Sequence, residues 1–105
     1  MGIKIIDQIS TSCGSSHVDT YATISGIYKI ERRADNYYIC SSANIYLSKS
    51  TYSEKKIPIV FHLRVELETN INILQNEDLY RLLYDRLKTV IQGQFGNHIT
   101  FEDDL

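Results

Sequence analysis

Two cysteines in 105 residues, no tryptophan, one proline and no long apolar run leave several protein classes closed to this chain. Cys13 and Cys40 are too sparse for the disulfide frameworks of small secreted folds, and two free thiols are expected. A membrane-crossing helix takes roughly 20 consecutive apolar residues. Nothing here approaches that, and residues 1–10 lack the apolar core and cleavage site of a secretory signal, so cytosolic synthesis without a membrane partner is expected. Charge of one sign is missing too. Eleven Lys and Arg against thirteen Asp and Glu leave a net charge of −2, which gives no long-range pull on phosphate backbones and argues against bulk nucleic-acid binding. Gly14, Gly26, Gly93 and Gly96 fit neither a phosphate-binding loop nor a dinucleotide fingerprint, and no cofactor is expected.

What remains is ordinary globular material, 43% apolar and 23% charged, enough for one core. Ile3 and Ile5 fall on one side of a first strand. The small polar residues 10–17 read as a loop, because their side chains compete with regular structure for backbone hydrogen bonds. From residue 20 to 32, Ala22, Ile24, Gly26, Tyr28 and Ile30 alternate with polar partners, which is strand periodicity. Arg33-Ala34-Asp35-Asn36 supplies a turn, and Tyr37, Ile39, Ala43, Ile45 and Leu47 resume in phase, predicting a hairpin. Residues 48–56 read as a long exposed loop leading to Pro58 at a strand mouth.

The clearest alternation spans residues 59–68, with Ile59, Phe61, Leu63, Val65 and Leu67 on one face and Val60, His62, Arg64, Glu66 and Glu68 on the other. Asn76 before Glu77 and Asp78 predicts a helix cap. Leu79, Leu83, Leu87 and Val90, with Leu82 and Ile91, form the helix stripe, and Gly93 stands where the helix would stop. His98 to Phe101 offers a last short strand. The fold expected is α+β: a single domain over residues 1–105, with an antiparallel sheet or small sandwich of four to six strands and one amphipathic helix near the C-terminus. A flexible loop is expected near residues 10–19, and an acidic tail at 102–105.

Catalytic chemistry finds little footing. Cys13 and His17 have the spacing of a thiol and its base, but no neighbour declares itself as the group that orients the imidazole or as an oxyanion donor. Cys13, His17, Cys40, His62 and His98 lack the paired short spacings of a structural zinc site. Glu66 and Glu68 share the polar face of one strand, with no cleft specified around them. The expectation is a protein that is not an enzyme and holds no metal.

Eight tyrosines without tryptophan are the distinctive feature of the composition. Tyr37 and Tyr38 are adjacent, so a regular strand sends them to opposite faces. Tyrosines exposed on a sheet serve as rigid amphipathic anchors at protein interfaces or as stacking platforms for bases. The candidate interaction surface therefore takes in Tyr37, Tyr38, Tyr46 and Tyr52, the neighbouring cations Arg32, Arg33, Lys55 and Lys56, and the chain end Phe101, Asp103, Asp104 and Leu105, where a terminal carboxylate suits a basic groove.

The Tyr-, Ile-, Asn- and Ser-rich strands, from Tyr21-Ala22-Thr23-Ile24 through Ile57-Pro58-Ile59-Val60-Phe61-His62-Leu63, followed by one helix, resemble the small structural proteins of bacteriophage virions. The resemblance covers the layout of residues 21–91 and transfers no functional residue. It implies capsid decoration, a head fibre or a head-to-tail connector, hence a virion location after assembly in the host cytoplasm. It also implies homo-oligomeric symmetry, with strand edges or hairpin tips touching copies of the chain and a larger virion protein. The alternative is a small regulatory or single-strand nucleic-acid binder using a Tyr-rich sheet face.

Overall fold

β-Branched and aromatic residues in alternation with polar ones dominate the first two thirds of the chain, and they build strands there. The computed structural model describes residues 1–12 and 14–104. In chain order the elements are β1 (Gly2–Ile5), β2 (Ile9–Ser10), β3 (Ser16–His17), β4 (Thr20–Arg33), β5 (Asn36–Tyr46), α1 (Lys49–Ser53), β6 (Val60–Asn70), α2 (Ile71–Asn76), α3 (Leu79–Phe95) and β7 (Phe101–Asp104). Five strands form one antiparallel sheet in the order β6-β5-β4-β1-β7, and β2 and β3 pair separately. The fold is α+β, as the patterning predicts.

α3 lies across one face of the large sheet. Leu83, Leu87 and Ile91 recur every four residues and are fully buried against Ile3, Ile5, Ile39, Ala43, Ile45 and Val65. Each such side chain contributes roughly 1.5–3 kcal/mol by leaving water, so this layer dominates stability. On the opposite face α1 lays Tyr52 against Tyr21 and Tyr46, with ring centroids 5.5 and 5.0 Å apart.

Several elements depart from the sequence expectation, each for a local reason. Residues 48–56 are not all loop: Ser48 and Thr51 exchange side-chain and backbone hydrogen bonds in a capping box that starts α1. Residues 10–17 are not all loop either, since Ser10 pairs with Ser16 and Ile9 with His17. Asn76 does not cap the main helix. Asn70 caps α2 straight after β6, Asn76 ends α2, and Asp78 caps α3 by accepting from the Tyr80 N–H at 2.9 Å. Gly93 is passed over, and the helix stops at Gly96, whose φ of 128° and contact with the His98 ring leave no room for a side chain. The acidic residues 102–104 form an edge strand on β1 rather than a tail.

Two strands also change phase. β4 slips register against β5 between Ile24 and Gly26 and again between Ile27 and Lys29. Each slip inserts an extra residue and exchanges the faces beyond it, so Tyr28, at the second slip, turns away from the core and is 59% exposed, while Ile30, past both, returns to the α3 face opposite Ile39 but lies beyond the helix and is 61% exposed. In β6 the slip falls at His62, which takes a left-handed φ of 53° while its N–H donates to Asn44 Oδ1. That turns Val60 inward and Phe61 outward, to 53% exposure. From Leu63 onward β6 follows the expected alternation, with Leu63 and Val65 buried. Among the described residues no helix is long and apolar enough to cross a membrane.

Candidate interaction surface

The residues singled out from the sequence separate into two groups at opposite ends of the β4–β5 hairpin. Tyr46 pairs with Tyr21, and Tyr38 pairs with Glu31. Eight residues of strand separate those two tyrosines, about 26 Å.

The first group is welded into the fold. Gly2 in β1 faces the Tyr21 ring so closely that a Cβ there would sit 2.5 Å from it. The Tyr21 hydroxyl donates to Asp104 Oδ2 at 2.7 Å, and Lys49 Nζ reaches the same oxygen at 2.6 Å. Burial, followed by the Asp104 carboxylate, pushes the Tyr21 phenol well above its usual range. Lys49 and then Tyr21 hold the Asp104 carboxyl below the ordinary aspartate value. Asp103 pairs with Lys88 of α3 at 2.7 Å, and Phe101 packs against the core. The chain-end residues proposed for outward docking are thus committed internally, while Leu105 lies outside the described residues.

Beside this cluster runs a cleft of about 430 Å³ lined by Lys4, Asp19, Lys49, Glu102 and Asp104 among others. Its cations already face carboxylates: Lys4 lies 3.8 Å from Asp19, and Lys49 is held by Asp104. Lys55 and Lys56 are exposed beyond α1, next to Tyr46 and Tyr52.

The second group surrounds the hairpin tip. Ala34 and Asp35 connect the strands, with Ala34 at a left-handed φ of 55° and the Arg32 Nε donating to its carbonyl at 3.3 Å. Tyr37 faces α3 and packs on the core edge, so Tyr38 points to the opposite face. There the Arg33 guanidinium lies 4.2 Å from the Tyr38 ring centre, within cation–π range. Glu31 sits between Lys29 at 3.2 Å and Arg33 at 3.4 Å. Those partners, Arg33 first, hold its carboxyl below the usual value. Glu66, beside the Tyr38 hydroxyl, raises that phenol, and Arg64 pairs with Glu66 at 2.7 Å.

Among the described residues, Cys40 and the imidazoles do not gather into a metal-binding group. Cys13 lies outside the described residues; His17 Nε2 is 3.0 Å from Ser15 Oγ, and Cys40 is free and buried within β5. Among the described residues no three His, Cys, Asp or Glu side chains are placed to share a metal ion.

Sequence reasoning missed the most open apolar strand residues near the hairpin tip: Tyr28 turns to the face opposite α3 at the second slip, and Ile30 keeps its core-side phase but lies beyond the helix. Gly26 carried the available signal, since a glycine inside a strand pattern often marks a bulge. β1 accompanies β4 only from Thr20 to Ala22, and among the described residues no strand lies beside the remainder. No protein-family model, no curated protein and no solved structure matches this chain.

Proposed function

We propose that this chain is a non-enzymatic assembly module, a structural component of a bacteriophage virion, that works by docking a strand edge on neighbouring protein subunits. The observation that carries the assembly reading is the outer half of β4, a strand edge without a neighbour that also bears the exposed Tyr28 and Ile30. An uncovered edge presents N–H and C=O groups able to pair with another chain. Tyr21, Tyr46 and Tyr52 spend their ring faces on one another, which favours a protein contact over a base-stacking platform. The virion assignment rests on the resemblance in strand layout.

Co-expression with the products of the adjacent reading frames, followed by sedimentation velocity over a concentration series, tests the proposal. A defined complex with a capsid, portal or tail protein encoded there, or a defined homo-oligomer, is the expected result. A compact monomer at every concentration that ignores each neighbour would overturn it.

A further inference from the structure

We infer that the outer edge of β4 pairs with the same edge of a second copy, antiparallel, about a two-fold axis through Ile30. This deepens the assembly reading and rests on it.

The hydrogen-bonding parity of the strand comes first. The two-residue connection Ala34–Asp35 makes Arg33–Asn36 a hydrogen-bonded pair, and alternation along the ladder gives Glu31 and Lys29 their bonds to β5. The N–H and C=O groups of Ile30 and Arg32 therefore point away from β5, off the edge. A second copy can meet them only in registers that set such residues opposite one another, or that set the intervening ones opposite as non-bonded pairs.

Charge then selects among those registers. With the axis at Ile30, Lys29 of each copy faces Glu31 of the other, and the two isoleucines, each 61% exposed in the single chain, meet on the α3 side. An axis at Lys29 sets two ammoniums opposite. An axis at Glu31 sets two carboxylates opposite and Lys29 against Arg33, and one at Arg32 joins two guanidiniums while engaging little beyond the tip. Only Ile30 gives unlike charges and apolar contact together.

Length also fits. The slips in β4 compress Ile24 to Ile30 into the four ladder steps from Ala43 to Ile39, so the paired strand of the second copy, Ile30 to Arg33, reaches the level of Gly26 and its turn comes level with Ile24. At Ile24 the edge is closed: its N–H donates to the Tyr84 hydroxyl at 3.0 Å, and that hydroxyl donates to the Met1 carbonyl. The other long edge, β6, is defended. Its Glu66 carbonyl accepts from Arg86 Nε of α3 at 3.2 Å, and His62 kinks its start. The joined hairpins would form one continuous sheet with a closed, isologous interface.

Two measurements on the full chain test this. The first is oxidative cross-linking with Cys13 replaced by serine. Ile30→Cys should give a disulfide-linked dimer, because a hydrogen-bonded antiparallel pair holds its Cα atoms about 5.5 Å apart, within disulfide reach. Arg32→Cys should not, its two copies lying about 13 Å apart along the ladder. The second is sedimentation equilibrium. Lys29→Glu and Glu31→Lys should each raise the dimer dissociation constant about tenfold, from two unlike contacts made alike. The double swap should restore it, and a mixture of the two single variants should form the heterodimer. Phe61→Lys, an exposed residue of β6 far from the tip, should leave association unchanged.

A dimer that persists through both reversals, or cross-links through Arg32→Cys, would overturn this pairing while leaving assembly standing by another surface. A monomeric chain that still binds a co-expressed virion protein would do the same. A monomer that binds none would end both.

Discussion

Residues 20–24 and 25–33 belong to the same strand, yet they live in different environments. The first five are backed on the edge by β1 from Thr20 to Ala22 and by the Tyr84 hydroxyl at Ile24, by α3 on one face and, at Tyr21, by the Tyr52 ring on the other, and Thr20, Tyr21, Ala22 and Thr23 are buried. Among the described residues the next nine have β5 as their only strand neighbour, and they pass through two bulges to an exposed tip. The same backbone ladder runs through both, so hydrogen bonding within the hairpin does not separate them. What separates them is side-chain burial, and burial divides stability from contact: the inner half holds the domain together, and the outer half is free to meet something else.

Breaking the inner half should cost the most. Tyr21→Ala removes a ring that is 2% exposed and packed on Gly2 and Tyr52, and should lower unfolding free energy by about 3–5 kcal/mol in urea titration. A loss under about 1 kcal/mol would mean the inner half is not the stable one. Tyr84→Phe is milder. It leaves the ring in the core but orphans the Ile24 N–H, and about 1–2 kcal/mol should be lost in the same titration.

Acid should loosen one strand before the rest. Asp7 accepts from the Thr100 hydroxyl and N–H, and Asp104 from Tyr21 while it pairs with Lys49; together they fasten both ends of β7. Thr100 holds the Asp7 carboxyl, and Lys49 that of Asp104, below the ordinary aspartate value of 3.8. A carboxyl depressed in the folded state contributes stability at pH above its unfolded value, and that contribution fades as pH falls through the folded one. Protection of β7 amides, corrected for the pH dependence of intrinsic exchange, should therefore fall below about pH 4 ahead of protection in β5. An equal loss of protection in both strands would sink the idea. In Asp104→Asn the β7-specific effect should shrink.

How much of this was legible beforehand follows the same division. The inner half, the α3 stripe at Leu83 and Leu87, and Leu63 to Val65 of β6 could be read from the sequence, because burial on one face imposes a period that composition records. The α1 and α2 helices could not, since Ser48 and Asn70 start them through hydrogen bonds made by one or two side chains, and neither helix buries a residue. The phase of Tyr28 and Phe61 was lost at bulges, while Ile30 kept its phase but outran the helix. A bulge is set by backbone pairing across strands, which apolar alternation does not encode, and Gly26 alone hinted at one. The candidate surface suffered accordingly: Arg32, Arg33 and Tyr38 were placed rightly at the tip, Asp103 and Asp104 proved to be internal fasteners, and Ile30, on the core-side face its alternation gives, is open because no helix covers it there.

The smallest effect on folding should come from the residue with the largest effect on association. Ile30 is 61% exposed and stands beyond the helix-covered core, so Ile30→Lys removes little buried area and should change unfolding free energy by no more than about 0.5 kcal/mol in dilute solution. In a two-fold pair it would set two ammoniums against each other at the centre of the joint ladder, beside Lys29, and a concentration series in the ultracentrifuge should show association lost. Tyr21→Ala and Ile30→Lys thus form a crossed pair, nine residues apart on one strand, each moving one observable and sparing the other. Should Ile30→Lys cost about 2 kcal/mol or more in the isolated chain, the two halves of β4 would be a single cooperative unit. The outer half could then no longer be assigned to contact on grounds of burial.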